Sequence, residues 1–293
     1  MKRRRTSSVL AICALAVGLV AAACTPPPPP PVENWNFRST QVQMANSTDE
    51  VYLPNPFGDD PCIAIPNCND EPYVINIWFR AKFGVPGSAQ AGVVATDECS
   101  PEISVGNGAV VPLGGCSAGN VSFPNVQMLD LADLNDTNKL EVMGVWQWVM
   151  EEDQFGIDAG GIAAAFQKVL NDTIASGQAP ATDNLVSYLI SVLFSGGFVQ
   201  SFSTAIGLLG INIPLLGDDA LGSRLYASLN VRGALSDIIG NSTTPGNISV
   251  GFGIPTIQSI SIAGLGNSPV NYDGFGSSGA DGDHRYWNQW ARS

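Results

Sequence analysis

The sequence is poor in positive charge and nearly devoid of histidine. Its 293 residues hold 13 Lys and Arg against 26 Asp and Glu, for a formal net charge of −13, and a single His. So few cations exclude sequence-independent binding to nucleic acid, which needs clustered Lys and Arg to displace counterions from phosphates. Only 13% of residues are charged while 45% are hydrophobic, so the chain has material for a sizeable core, and global disorder does not fit. Its apolar runs fall short of the roughly 20 residues a helix needs to cross a bilayer.

Catalytic patterns are also scarce. We read no nucleophile elbow and no Ser-x-x-Lys pair. Phosphate-binding glycine loops, dinucleotide-binding glycines and Cys-x-x-Cys-His are missing from the contexts that give them meaning. A Ser-His-Asp site would have to be built on His284, the sole imidazole, beside Asp281 and Asp283. A lone His near a terminus more often belongs to a surface or a sheet.

What is present begins at the N-terminus. Lys2, Arg3, Arg4 and Arg5 form a basic start, residues 9–20 an apolar core, and Ala21, Ala22 and Ala23 supply small side chains before Cys24. Thr25 and an unbroken proline run over residues 26–31 follow. This resembles the signal peptide and lipobox of bacterial lipoproteins, with Ala21 standing where that motif usually has Leu. The resemblance covers residues 1–31 only. It implies removal of residues 1–23, a diacylglycerol on the Cys24 sulfur, and export with anchoring to the cell membrane. Simple secretion after Ala-x-Ala is the alternative. Thr6, Ser7 and Ser8 follow the arginines where a twin-arginine signal wants an aromatic and a Leu, which favours the general secretory route. Residues 24–33 read as lipid site and stiff spacer, because polyproline extends at about 3.1 Å per residue. Residues 34–293 read as one extracytoplasmic domain. With the four leading cations gone, nine basic residues face all 26 acidic ones, a net charge of −17.

Of six cysteines, Cys13 leaves with the signal and Cys24 is the lipid site. Cys62, Cys68, Cys99 and Cys116 are an even set in an exported chain, which points to disulfides. The pairs Cys62–Cys68 and Cys99–Cys116 are favoured because each closes a local loop dense in Pro, Gly and Asn. Zinc is the competing explanation, but the spacings lack Cys-x-x-Cys and His284 is remote in sequence.

The body alternates with period two in its first part. Ile75, Ile77, Phe79, Ala81 and Phe83 share one face of a predicted strand, and Asn76, Trp78, Arg80 and Lys82 share the other. Further strands are expected over residues 35–44, 140–150, 225–231, 248–254, 257–262 and 284–291. In the second of these, Trp146 and Trp148 oppose Val145 and Val149, as in a strand covered on both sides. Helical spacing over 161–176, with Gly177 as a stop, opens a stretch of helices reaching about residue 217. Residues 264–282, rich in Gly, read as a loop. The expected class is α+β: an antiparallel β-sandwich-like sheet with a helical insertion at about 157–217.

Three candidate sites follow. Glu141 with Glu151 or Glu152 brackets Trp146 and Trp148, the ingredients of a carboxylate pair beside a sugar-stacking platform. The plainer alternative makes the tryptophans core. Acidic pairs at Asp49–Glu50, Asp59–Asp60, Asp70–Glu71, Asp218–Asp219 and Asp281–Asp283 suit calcium, which takes six to eight oxygens. Asp133, Asn135 and Thr137 echo an EF-hand beginning without its Gly or final Glu. Solvated acidic turns are the favoured explanation of these pairs, and no cofactor is required. Residues 184–217 carry no formal charge, a pattern that suits buried helices, an apolar-ligand cleft or membrane insertion. The expectation for function is a membrane-anchored lipoprotein with a binding or structural body and no enzyme motif. The alternatives are an acidic-site hydrolase acting on glycans and a carrier of an apolar ligand.

Overall fold

The computed structural model describes residues 29–47, 69–70, 72–99, 101, 103–104, 110–130, 132–133, 137–151, 158–177, 187–188, 191–192, 200–202, 204–205, 220–249, 255–266, 269–278 and 282–293. Val32–Ser293 forms one compact unit. Its strands are β1 (Val32–Ser47), β2 (Asn69–Asp70), β3 (Pro72–Lys82), β4 (Gln90–Ala95), β5 (Ile103–Ser104), β6 (Val110–Pro112), β7 (Val121–Gln127), β8 (Glu141–Glu151), β9 (Ala220–Leu229), β10 (Asn241–Ile248), β11 (Ile257–Gly264), β12 (Val270–Ser278) and β13 (Gly282–Arg292). Two α-helices whose full extent is described accompany them, α1 (Ala159–Leu170) and α2 (Gly233–Ile239).

The fold is α+β and built as a sandwich. One sheet has the order β12-β13-β1-β6, with β7 also paired to β1; the other runs β10-β11-β9-β8-β3-β4. The register Val74↔Val149, Asn76↔Gln147 and Trp78↔Val145 puts the alternate residues of β3 and β8 side by side on one face of the second sheet. That face meets the first sheet. Trp35, Phe37, Phe123 and Trp290 of one sheet pack with Met143, Val145 and Tyr226 of the other, and Val42, Met44 and Tyr286 pack with Val74, Val149 and Leu221.

The opposite face of the second sheet carries the larger core. Ile75, Ile77, Phe79, Ala81 and Phe83 lie there with Trp146, Trp148, Leu225 and Ile260, against Ile162, Phe166, Val169 and Leu170 of α1. Asp158 caps α1 by accepting the Gly161 N–H at 2.9 Å, satisfying one of the donors left over at a helix start. A π-type turn over Asn171–Ala175 continues the helix. Residues 187–188, 191–192, 200–202 and 204–205 are helical as well, within the expected insertion. The strand over 140–150 therefore has both faces covered, as its sequence predicts: Trp146 and Trp148 toward α1, Val145 and Val149 toward the other sheet.

Two expectations are corrected. Residues 264–282 are not all loop, because β12 runs through them and pairs with β13 from Val270↔Trp290 to Ser278↔Asp283. The sandwich is not wholly antiparallel, since β9 and β11 are parallel neighbours. Parallel neighbours need a crossover, and here α2 and β10 return the chain to the starting end. Of the strand expected over 248–254, Ile248 is the last residue of β10, and residues 250–254 lie outside the described residues.

Candidate functional site

A seam of polar side chains lies buried between the two sheets. It arises because three inward-facing positions of facing strands carry amides: Asn76 on β3, Gln147 on β8 and Asn288 on β13, all essentially without exposure. Gln147 Nε2 donates to Ser39 Oγ at 3.0 Å, Asn76 Oδ1 at 3.1 Å and Asn288 Oδ1 at 3.3 Å. Asn288 Nδ2 donates to Gln147 Oε1 at 2.8 Å and to the Tyr226 hydroxyl at 2.6 Å. Ser39 Oγ donates to Asn288 Oδ1 at 2.8 Å, and Asn76 Nδ2 to the Gly119 carbonyl at 2.7 Å. Each amide thus finds partners for a group that would otherwise destabilise the core.

The seam continues to a buried cation. Arg224 Nη2 donates to Ser261 Oγ at 2.7 Å and Thr243 Oγ1 at 3.0 Å. The guanidinium carbon lies 5.1 Å from the Tyr226 ring centre and 5.8 Å from that of Tyr272, within cation–π range. Burial pushes the Tyr226 hydroxyl up from its ordinary value, opposed by the Arg224 charge and the hydrogen bond to Asn288. Burial likewise raises Tyr272 and Tyr286. These phenols stay neutral across the physiological range, and the Tyr226 hydroxyl accepts the Asn288 amide N–H. The seam's chemistry is that of neutral amides and hydroxyls around one guanidinium, suited to fixing the register of two sheets.

The candidates from sequence fall in different places. Trp146 and Trp148 are core. Trp146 packs on Trp148, Phe166 and Phe202 at ring distances of 5.4, 5.9 and 5.2 Å, and its indole N–H donates to Ser223 Oγ at 2.8 Å. Neither ring presents a face to a sugar. Glu141 is buried, with both carboxylate oxygens engaged by Arg80; its Oε2 lies 3.0 Å from Arg80 Nη2. Of its companions, the Glu151 side chain and Glu152 lie outside the described residues. His284 is buried on β13 opposite Met44. Cys99 and Cys116 are joined by a disulfide with Cα atoms 6.1 Å apart. Cys24, Cys62 and Cys68 lie outside the described residues, as do the side chains of the five acidic pairs. Among the described residues, no three His, Cys, Asp or Glu side chains gather as a metal site.

One motif was passed over. Residues 115–119 spell Gly-Cys-Ser-Ala-Gly, the pattern of a nucleophile elbow. That pattern needs a strand-to-helix turn. Here it forms a 3-10 turn over Gly115–Ala118 with Cys116 in the disulfide. Ser117 Oγ donates to the Gly114 carbonyl at 2.9 Å and accepts the Gly114 N–H at 3.2 Å, so the hydroxyl is used in closing its own turn. The seam was also missed. Its signal was the placement of Asn76 and Gln147 at strand centres, which alternation alone assigns to a polar face.

The chain matches no family model, no curated protein and no solved structure.

Proposed function

We propose that the chain is an exported bacterial lipoprotein, held to the cell membrane through a diacylglycerol on Cys24, whose sandwich serves a binding or structural role. The observation that carries this reading is the order of residues 2–31: basic start, apolar core, three alanines, Cys24 and a proline spacer. The Cys99–Cys116 disulfide supports it, because such bonds persist in oxidising compartments outside the cytoplasm. So does the point where the compact body starts, at Val32, directly after the last proline of the spacer. Among the described residues, no helix is long and apolar enough to cross a membrane, and in this reading a covalent lipid is the attachment.

Fractionation of a bacterial expression host tests it. The full chain should sediment with membranes and enter a detergent phase, while a Cys24→Ala variant should lose the detergent partition. Equal partitioning of the two chains would contradict the reading.

A further inference from the structure

Residues of β1 and β13 alternate between the two faces of the first sheet. Ser39, Val42, Tyr286 and Asn288 point into the sandwich and are buried. Arg38, Gln41 and Gln43 of β1 and Arg285, Trp287 and Gln289 of β13 point outward, and all are exposed or partly exposed. The strand register sets them in three rows. Arg38 lies beside Gln289, which lies beside Asn271 of β12; Gln41 lies beside Trp287; Gln43 lies beside Arg285. The two arginines therefore flank the tryptophan row, with their rows about 13 Å apart along β13.

Trp287 has no place in the core. Of the six tryptophans it alone joins none of the three apolar clusters formed by the described residues. A Cβ on Gly274 of β12 would fall 2.7 Å from Trp287 Cε2 and 2.5 Å from Arg285 Cδ. The glycine thus leaves room for the indole and the arginine stem to lie side by side over the edge strand. In the next row Arg38 Nη2 donates to Gln289 Oε1 at 3.2 Å, and Gln289 Nε2 donates to Asn271 Oδ1 at 2.7 Å. That chain crosses three strands and holds the Arg38 guanidinium on the sheet surface.

The charge of this face runs against that of the chain. The whole sequence has twice as many acidic as basic residues, 26 against 13. Among the described side chains of the three rows there are two arginines and no Asp or Glu. Between the arginines lie amides, each of which both donates and accepts hydrogen bonds.

We propose that this outer face binds an acidic polysaccharide, with a sugar ring on Trp287 and sugar carboxylates on Arg38 and Arg285. The proposal gives a ligand class to the binding role stated above and does not depend on the Cys24 anchor. Each part of the face matches one part of such a ligand. A large, rigid indole offers apolar area to the C–H face of a sugar ring. Amides match hydroxyl groups, which also donate and accept. A guanidinium takes a carboxylate through two parallel N–H bonds. A protein partner fits less well, because a protein interface needs a desolvated apolar centre from which charged side chains are largely excluded.

Calorimetric titration of the full chain in detergent tests it, with polygalacturonate oligomers as probe and their fully methyl-esterified form as the uncharged control. The parent and a Cys24→Ala variant are run in parallel, so that lipidation does not decide the result. Both should bind the free acid, and both should bind the ester about tenfold or more weakly. Trp287→Ala, and separately Arg38→Gln with Arg285→Gln, should each weaken binding of the free acid by about tenfold or more, while Trp287→Phe keeps most of it. The arginine pair decides the matter if Trp287→Ala does not fold. No heat with the free acid, undiminished binding by the arginine variant, or equal affinity for acid and ester overturns the proposal. A parent that binds the acid yet carries no lipid supports this face and overturns only the anchor.

Discussion

Gln147 on β8 and Asn288 on β13 exchange amide hydrogen bonds across the gap between the two sheets, at 2.8 Å in one direction and 3.3 Å in the other. Both side chains are buried, and both reach further partners: Gln147 the Asn76 and Ser39 oxygens, Asn288 the Tyr226 hydroxyl. A one-residue slip of β13 against β1 would turn Asn288 out of the core and leave Gln147 without one of its three acceptors and without the donor to its Oε1. The pair therefore specifies how the sheets face one another, a role that apolar packing alone fills less strictly.

Truncation of one partner leaves the other's polar groups buried and unmatched, at about 1–3 kcal/mol for each group. Asn288→Leu and Gln147→Leu should each lower unfolding stability by about 2–4 kcal/mol, measured by urea denaturation. The double variant should lose less than the sum, with a coupling of about 0.5–3 kcal/mol. Strict additivity would show that the pair does not act as a unit.

Phe166 is the residue through which α1 holds the second sheet, lying 5.2 Å from the Phe79 ring and 5.0 Å from that of Phe202. Phe166→Ala should cost about 3–5 kcal/mol, since it removes a large buried ring and leaves a cavity among aromatics. A loss below about 1 kcal/mol would mean the helix contributes little to the body's stability.

The Cys99–Cys116 disulfide closes a loop with a sequence separation of 17. A loop of that size restricts the unfolded chain by about 3 kcal/mol in the chain-entropy model. The Cys99→Ser, Cys116→Ser double variant should lose about 2–4 kcal/mol while retaining the β-sheet circular dichroism spectrum. The measurement is the denaturation midpoint of the oxidised parent against the variant, and equal midpoints would contradict the expectation.

Alkaline titration probes the seam directly. Tyr226, Tyr272 and Tyr286 are raised above the ordinary phenol value of 10.0, each chiefly by burial. The fold favours the protonated form, so this stability is fully present below the unfolded value and lost as pH climbs past it toward the folded values. Thermal midpoints should hold to about pH 9.5 and drop steeply above about pH 10. Tyr272→Phe should lessen the drop, and a midpoint unchanged up to about pH 11.5 would show that the phenols ionise without penalty.

Strand faces were legible where hydrophobic alternation was unbroken. Ile75, Ile77, Phe79, Ala81 and Phe83 do share one face, and the double-sided apolar pattern around Trp146 and Trp148 does mark a central strand. What alternation cannot report is the identity of the cover. Asn76 sits on the face with Arg80 and Lys82, yet it is fully buried because the first sheet lies over that part of β3, while Arg80 and Lys82 lie toward its margin.

β12 was hidden for a different reason. Its Asp and Gly residues have low strand propensity, and as an edge strand it draws its hydrogen bonds from β13. At Gly274 a Cβ would fall about 2.5 Å from the Arg285 side chain, so glycine is required by packing there. In isolation that requirement looks like a turn signal. The seam was illegible for the same kind of reason: the Asn76↔Gln147 register is a property of strand pairing, and Asn288 joins it from a strand more than a hundred residues later.

The account turns on Cys24. Mass spectrometry of the N-terminal peptide of the mature protein, isolated from the membranes of a bacterial host, tests it most directly. The account predicts a peptide that begins at Cys24 and carries the added mass of a diacylglycerol on its sulfur. A mature chain with an unmodified Cys24, or one that still carries residues 1–23, would contradict it.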